Sequence, residues 1–264
     1  MPEPFPPPSR RRLLAARLRA LVPSDCPLCA ARARGGLLCA ACEEGICQTA
    51  RNPPALGLPW RCGRCALPLP EHDTACPDCA GRAPVFERTV VAFDYAPPAD
   101  ALVLQLKNGR RYGRADLLGN LLAEAVRHHA QPLPAGTVLV PIPASFASLR
   151  RRGFNPAAEI ARALGRDLAL PVRHDLLRRR REQPKQSGLG RQDRRRSAQG
   201  LYAGAPPARG LAIGLVDDVM TTGSTMHAAA AALRMAGAAS VVALAVARTP
   251  GQFPASPRRR PRAE

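Results

Sequence analysis

Four Cys-x-x-Cys pairs constrain what the first third of this chain can become. Cys26/Cys29, Cys39/Cys42, Cys62/Cys65 and Cys76/Cys79 hold eight of its nine cysteines, all between residues 26 and 79. A Cys-x-x-Cys turn presents two thiolates to one cation, and two such turns complete a tetrahedral zinc site. Four pairs therefore suit two zinc ions in a tandem ribbon. Nine residues separate the first two pairs, ten the last two, and nineteen the two sets. That spacing allows sequential pairing, with Cys26, Cys29, Cys39 and Cys42 on one ion and Cys62, Cys65, Cys76 and Cys79 on the other, or an interleaved one. Cys47 is left over and His72 lies between two knuckles; each is a bystander or a replacement ligand. Four thiolates leave no open coordination position, so both sites are expected to be structural. They would supply folding energy that so short a segment cannot draw from a core, and chelation is expected to unfold residues 23–82 alone.

Disulfides are the competing use of these cysteines, and they belong to oxidising compartments. The apolar stretch Leu13–Val22 is interrupted by Arg17 and Arg19, unlike the unbroken core of a secretory signal. The longest apolar run in the body of the chain, Val241–Ala247, falls far short of the roughly 20 residues of a membrane span. The expectation is a cytoplasmic protein with no membrane span.

Lys and Arg number 39 against 20 Asp and Glu, and only Lys107 and Lys185 are lysines. The resulting charge of +19 suits a polyanionic partner such as nucleic acid. Codon usage that favours Arg, Ala, Pro and Gly together explains it equally well. With one Trp, three Tyr and six Phe, side chains for base stacking are scarce, and the core must be aliphatic.

Beyond the cysteines, strand and helix patterns alternate. Thr89–Tyr95, Thr137–Pro143, Leu211–Val216 and Val241–Ala247 read as strands, with a short one at Leu168–Val172. Asp100–Lys107, Arg114–His129, Pro156–Leu164 and Ser224–Ala236 read as helices, and Arg10–Val22 has helical spacing. Arg178–Arg196 has no period and reads as a long loop. This order predicts an α/β fold, a parallel sheet flanked by helices. Four segments follow: a basic N-terminal stretch (1–22), a double zinc ribbon (23–82), the α/β domain (83–249) and a disordered basic tail (250–264).

The stretch Ile213–Thr225 carries the chemistry. A buried strand runs into Asp217 and Asp218, then into a Thr-Thr-Gly-Ser-Thr turn that opens a helix. Strand ends of this kind face the crevice where α/β sheets bind ligands. Thr221, Thr222, Gly223, Ser224 and Thr225 could wrap a phosphate at the positive end of the helix. The two carboxylates then stand where the hydroxyls of an attached ribose would lie. No Gly-Lys-Ser/Thr follows, so this is not a nucleotide P-loop.

Val216–Thr225 resembles the phosphoribosyl pyrophosphate (PRPP) loop of type I phosphoribosyltransferases. Together with Leu106–Lys107–Asn108–Gly109–Arg110, Pro141–Ile142–Pro143, Arg151–Pro156, Gln186 with Arg194, and the four cysteine pairs, the chain resembles the ComF family of competence proteins over about Cys26–Thr249. The resemblance implies a phosphoribosyltransferase-like domain joined to a zinc ribbon. It implies that Asp217 and Asp218 contact ribose hydroxyls and that Thr221–Thr225 hold the 5′-phosphate. It also implies that Pro141–Ala144 meets pyrophosphate, that Lys107 and Arg152 bind acidic oxygens, and that Arg178–Arg196 forms a hood over the substrate. The expected reaction is displacement of pyrophosphate at ribose C1, with magnesium accompanying PRPP and Asp217, Asp218, Lys107 and Arg152 as the catalytic set. DNA uptake or utilisation, single-stranded DNA and a helicase-like partner are implied too. The alternative is a catalytically silent domain of the same fold serving DNA binding or protein docking. The chain departs from the family at Pro156, where Gln is usual, and at Ser197, where Asn is common.

Overall fold

The computed structural model describes residues 18, 21–47, 60–70, 75–80, 83–108, 112–180 and 200–251. Its centre is a four-stranded parallel sheet of β5 (Thr89–Asp94), β10 (Ser240–Arg248), β9 (Ala212–Met220) and β6 (Val138–Pro141), in that spatial order. Ala243 of β10 pairs with Thr89 on one side and Leu215 on the other, and Leu215 pairs with Val140. All but the first residue of β10 are buried, as expected of a strand covered on both faces.

Side chains of β10 alternate between two cores. Val242, Leu244 and Val246 face a layer containing Leu102, Leu106, Leu118, Leu122, Ile160 and Leu164. These come from α2 (Asp100–Lys107), α3 (Gly113–Arg127) and α5 (Pro156–Leu168). Val241, Ala243 and Ala245 face Met226, Ala229, Ala230 and Leu233 of α6 (Ser224–Met235). The strand period of two thus divides one apolar segment between two helix layers. Asn155 caps α5 by accepting a bond from Ala157 N (3.2 Å), and Pro156 occupies its first turn, where no backbone donor is needed.

The cysteine segment folds as two small ribbons, one on each core. β1 (Pro23–Asp25) and β2 (Arg32–Arg34) pair antiparallel and lead to α1 (Ala40–Cys47). Cys26, Leu38 and Ile46 are buried in the α2/α3/α5 layer. β3 (Trp60–Arg61) pairs with β4 (Pro68–Leu69). Cys65, Ala66, Leu67 and Leu69 are buried in the α6 layer.

Several elements differ from the expectations. Leu168 ends α5 and Ala169 caps it in the left-handed region; only Val172 of the expected strand pairs, in a parallel bridge with Leu139. Arg178 and Arg179 lie on β7 (Leu177–Arg179), paired with β8 (Tyr202–Gly204), and not in a loop. Residues 181–196 of the expected hood, including Gln186 and Arg194, lie outside the described residues, as do Ser197, 1–17, His72 and 252–264. α4 (Phe146–Arg152) has no counterpart in the sequence reading. None of its residues is buried, so it has no apolar face to betray it. No helix among the described residues is long and apolar enough to cross a membrane.

Candidate functional site

β9 continues to Met220, four residues past its expected end, so Asp217 and Asp218 belong to the strand itself. Their backbone is held by the sheet: Ala245 pairs with Asp217 and Arg248 with Met220. Asp218 Oδ1 lies 2.8 Å from Lys107 Nζ, at the end of α2. Asp217 Oδ1 accepts a bond from Asp218 N at 2.8 Å. Burial, and then the charge of Asp218, push the Asp217 carboxyl up to about 7. The site thus pairs one neutralised carboxylate with one that holds its proton near neutral pH.

The turn after β9 is shaped by Gly223, which has φ of +73°. A Cβ there would come within 2.6 Å of Met220 Cε, so both conformation and space call for glycine. Thr222 Oγ1 and Ser224 Oγ lie 2.7 Å apart, and α6 begins at Ser224. The turn therefore sets two hydroxyls beside a helix N-terminus, a position that favours an anion.

The neighbouring Pro141–Ile142–Pro143 segment is fixed from two sides. Ile142 N donates to Val216 O (2.9 Å). Asn155 Nδ2 donates to Ile142 O (2.9 Å). Gly153, with φ of +81°, closes α4, and buried Phe154 meets Tyr112 edge-on with centroids 4.9 Å apart. Asn155 therefore serves the helix with one atom and the loop with another. Pro156 in place of Gln interrupts neither bond. Arg152, at the end of α4, makes no ion pair with Asp217 or Asp218 among the described residues, so only Lys107 of the two expected cations is brought to the carboxylates. On the other flank, Arg179 Nη1 donates to Tyr202 Oη (3.2 Å). Burial first, with a smaller contribution from the charge of Asp217, pushes that phenol up to about 12.

The cysteines form two sets whose four Sγ atoms lie within 4.8 Å of one another: Cys26, Cys29, Cys39 and Cys42, and Cys62, Cys65, Cys76 and Cys79. Pairing is sequential. Cys29 and Cys39 sulfurs are 3.6 Å apart, Cys62 and Cys79 3.8 Å, and Cys65 and Cys76 3.4 Å. A tetrahedral zinc with bonds of about 2.3 Å sets its sulfurs about 3.8 Å apart, whereas a disulfide would bring them to about 2.05 Å. Both sets fit a zinc ion. Within the second, hydrogen bonds from the Cys65 and Cys79 side chains hold the Cys62 thiol far below its usual range. Hydrogen bonds with the Cys62 and Cys65 side chains drive Cys79 far above it. Four crowded thiols of this kind are reconciled by a cation.

Residues that sequence reasoning missed join the second set to the domain. Arg61 grips Asp94 through two bonds of 3.0 Å. Thr89 Oγ1 donates to Arg64 O (2.7 Å). Arg248, fully buried, reaches Cys65, Asp78 and the phosphate turn together. An Arg closing an apolar strand and an Asp inside a Cys-Pro-Asp-Cys knuckle were the available signals. Trp60 packs against the α6 core and is no free stacking surface.

Residues 142–257 match a family model described as a phosphoribosyl transferase domain. The chain is 32% identical over 222 residues to DNA utilization protein YhgH of Escherichia coli K12, covering 78% of this chain and 97% of that one. It is 29% identical over 220 residues to competence protein F of Haemophilus influenzae, covering 80% and 90%. Against competence protein ComFC of Bacillus subtilis it is 40% identical over 105 residues, or 40% and 41% of the two chains.

Proposed function

The chain belongs to the ComF family, and on that premise we propose that it binds PRPP at the end of β9 and transfers the phosphoribosyl group in support of DNA uptake or utilisation. The observation that carries this reading is the continuity of Asp217, Asp218 and the Gly223 turn on one strand–helix junction, with Lys107 against Asp218. The turn and the α6 N–H groups take the 5′-phosphate. The two aspartates take the ribose hydroxyls, and Pro141–Ala144 faces the pyrophosphate. At C1 the bond to pyrophosphate breaks, positive charge develops on the ring, and a bond to the acceptor nucleophile forms. Asp217 and Asp218 lie where an ionised carboxylate favours that charge. The carboxylate pair is also a hard-oxygen donor set for magnesium, which when bound with PRPP neutralises the leaving group. Lys107 supplies a cation from the protein side.

Contact with single-stranded DNA is a second part of the proposal. α4 exposes Arg150 and Arg151, with Arg150 stacked 5.8 Å from the ring centre of exposed Phe146. Arg and aromatic side chains on one surface suit phosphates and unstacked bases. The relatives named for competence and DNA utilization point the same way.

Calorimetric titration of PRPP with magnesium tests the first part. Binding by the intact protein and none by the Asp217→Ala/Asp218→Ala variant is expected. Intact protein that binds nothing would overturn it.

A further inference from the structure

Arg248 closes β10, has no exposed surface, and spends its guanidinium on two distant parts of the chain. Toward the second cysteine set, Nε donates to Cys65 O (2.9 Å), and Nη2 donates to Asp78 Oδ2 (2.5 Å) while standing 3.9 Å from Cys65 Sγ. Toward the phosphate turn, Nη1 donates to Met220 O (3.2 Å) and to Thr221 O. It also donates to Thr249 O at 2.9 Å. One planar cation thus bridges both metal-binding knuckles and the first residues of the turn.

We propose that Arg248 is a positioning residue through which metal occupancy of the Cys62/Cys65/Cys76/Cys79 set controls the conformation of the phosphate turn. The proposal rests on the reading of that turn as the PRPP site. Asp78 sits between two of the cysteines, and Cys65 is itself one of them, so a cation shared by the four sulfurs fixes both of Arg248's acceptors in the ribbon. Taking the carboxylate away from a buried ion pair leaves a buried charge uncompensated, which is strongly unfavourable. When the knuckles part, Arg248 loses that partner and is drawn toward water. Thr221 O then loses its guanidinium donor, and Met220 O is left to Thr249 N (3.0 Å). The turn is no longer tied to the ribbon.

The first cysteine set has no such connection among the described residues. Gln105 Nε2 donates to Pro27 O (3.0 Å) and Arg114 Nη1 to Gly36 O (3.5 Å), both from the α2/α3 layer. A side chain that bonds ribbon and turn directly is therefore expected for the second set only.

The test compares the intact protein with Asp78→Asn and Arg248→Lys, which leave all eight cysteines of the two sets in place. Zinc is counted by release to a colorimetric chelator, amide exchange over residues 217–225 and 113–127 is followed by mass spectrometry, and PRPP binding is measured by calorimetry. Both variants are expected to retain two zinc ions and native protection in α3. Residues 220–225 should exchange about tenfold or more faster, and PRPP should bind about tenfold more weakly, the loss that follows removal of one charge-assisted bond. Arg248→Lys keeps the charge opposite Asp78 but cannot reach all the carbonyls, so it should separate zinc retention from turn protection. Unchanged exchange and affinity in both variants would overturn the coupling. So would stripping zinc from the wild type with no change in exchange at 220–225. Wild-type protein that fails to bind PRPP, yet shows the exchange difference, would defeat the reading of the site and leave the coupling standing.

Discussion

Lys107 Nζ and Asp218 Oδ1 stand 2.8 Å apart, both largely shielded from solvent, although 110 positions of sequence lie between them. The pair closes α2 onto the end of β9 and neutralises one of two adjacent carboxylates. That gives Lys107 two opposed effects on ligands. It competes with a metal cation for Asp218, and it attracts the phosphates of PRPP. Lys107→Met is therefore expected to bind magnesium alone more tightly than the wild type, while its affinity for PRPP with magnesium falls about tenfold, the scale of one charged hydrogen bond. Calorimetry with each ligand separates the two. Parallel changes in both affinities would show that Lys107 only supports α2.

Asp217 predicts a pH dependence. Its carboxyl titrates at about 7 in the folded protein, above the ordinary 3.8, because burial and then Asp218 disfavour its charge. A raised folded value means that the folded state binds the extra proton. The associated stability is complete below about pH 4 and is lost as pH rises through 7. Asp217→Asn, a fixed neutral mimic, should melt several degrees above the wild type at pH 8 and level with it at pH 4. The wild type should also release a proton when magnesium and PRPP bind near pH 6.5. Calorimetry in two buffers of different ionisation enthalpy reads that proton directly. No buffer dependence would mean that Asp217 is already ionised.

The structure shows why part of the site was visible in the sequence and part was not. Val241–Ala247 is apolar without interruption, and every residue of it is buried in the strand it predicts. Asp217, Asp218 and Gly223 are neighbours in the chain, so their convergence needs no tertiary knowledge. Arg248 is different. Its acceptors, Cys65, Asp78, Met220 and Thr221, are scattered along the chain, and an Arg after an apolar run looks like a strand emerging into water. α4 escaped because Phe146–Arg152 has no buried face. The strand expected at Leu168–Val172 failed because Leu168, Ala169 and Leu170 fit either element over so short a length, while Pro171 marks the stop of the preceding helix. The left-handed cap itself is Ala169, where Gly is the usual residue, so only Pro171 announces the helix end.

Asn155 separates two contributions that a single truncation would merge. Its Oδ1 accepts from Ala157 N and caps α5, while its Nδ2 donates to Ile142 O. Asn155→Ala loses both and should cost about 1–2 kcal/mol of stability. Asn155→Asp keeps the cap but turns a donor into an acceptor facing a carbonyl. It should retain most of the stability, measured by urea unfolding, yet weaken pyrophosphate binding, because the Pro141–Ile142–Pro143 segment loses its tie. Equal pyrophosphate affinity in Asn155→Asp and wild type would show that Val216 alone fixes the segment.

Metal removal provides the last test, and the two cores set its outcome. The sequence suggests a ribbon that unfolds by itself on chelation. In the structure, Cys26, Leu38 and Ile46 share one core with Leu102, Leu118, Leu244 and Val246. Cys65, Leu67 and Leu69 share the other with Met226, Leu233 and Ala243. Losing the ribbons uncovers apolar surface on both layers. Each large side chain so exposed forfeits roughly 1.5–3 kcal/mol. A chelator strong enough to strip both ions should therefore lower the melting temperature of the whole protein by roughly 10 °C or more, the shift that a few kcal/mol produces in a domain of this size. Calorimetry should show one depressed transition. An unchanged main transition after complete loss of zinc would mean that the sheet and its helices are stable without the ribbons.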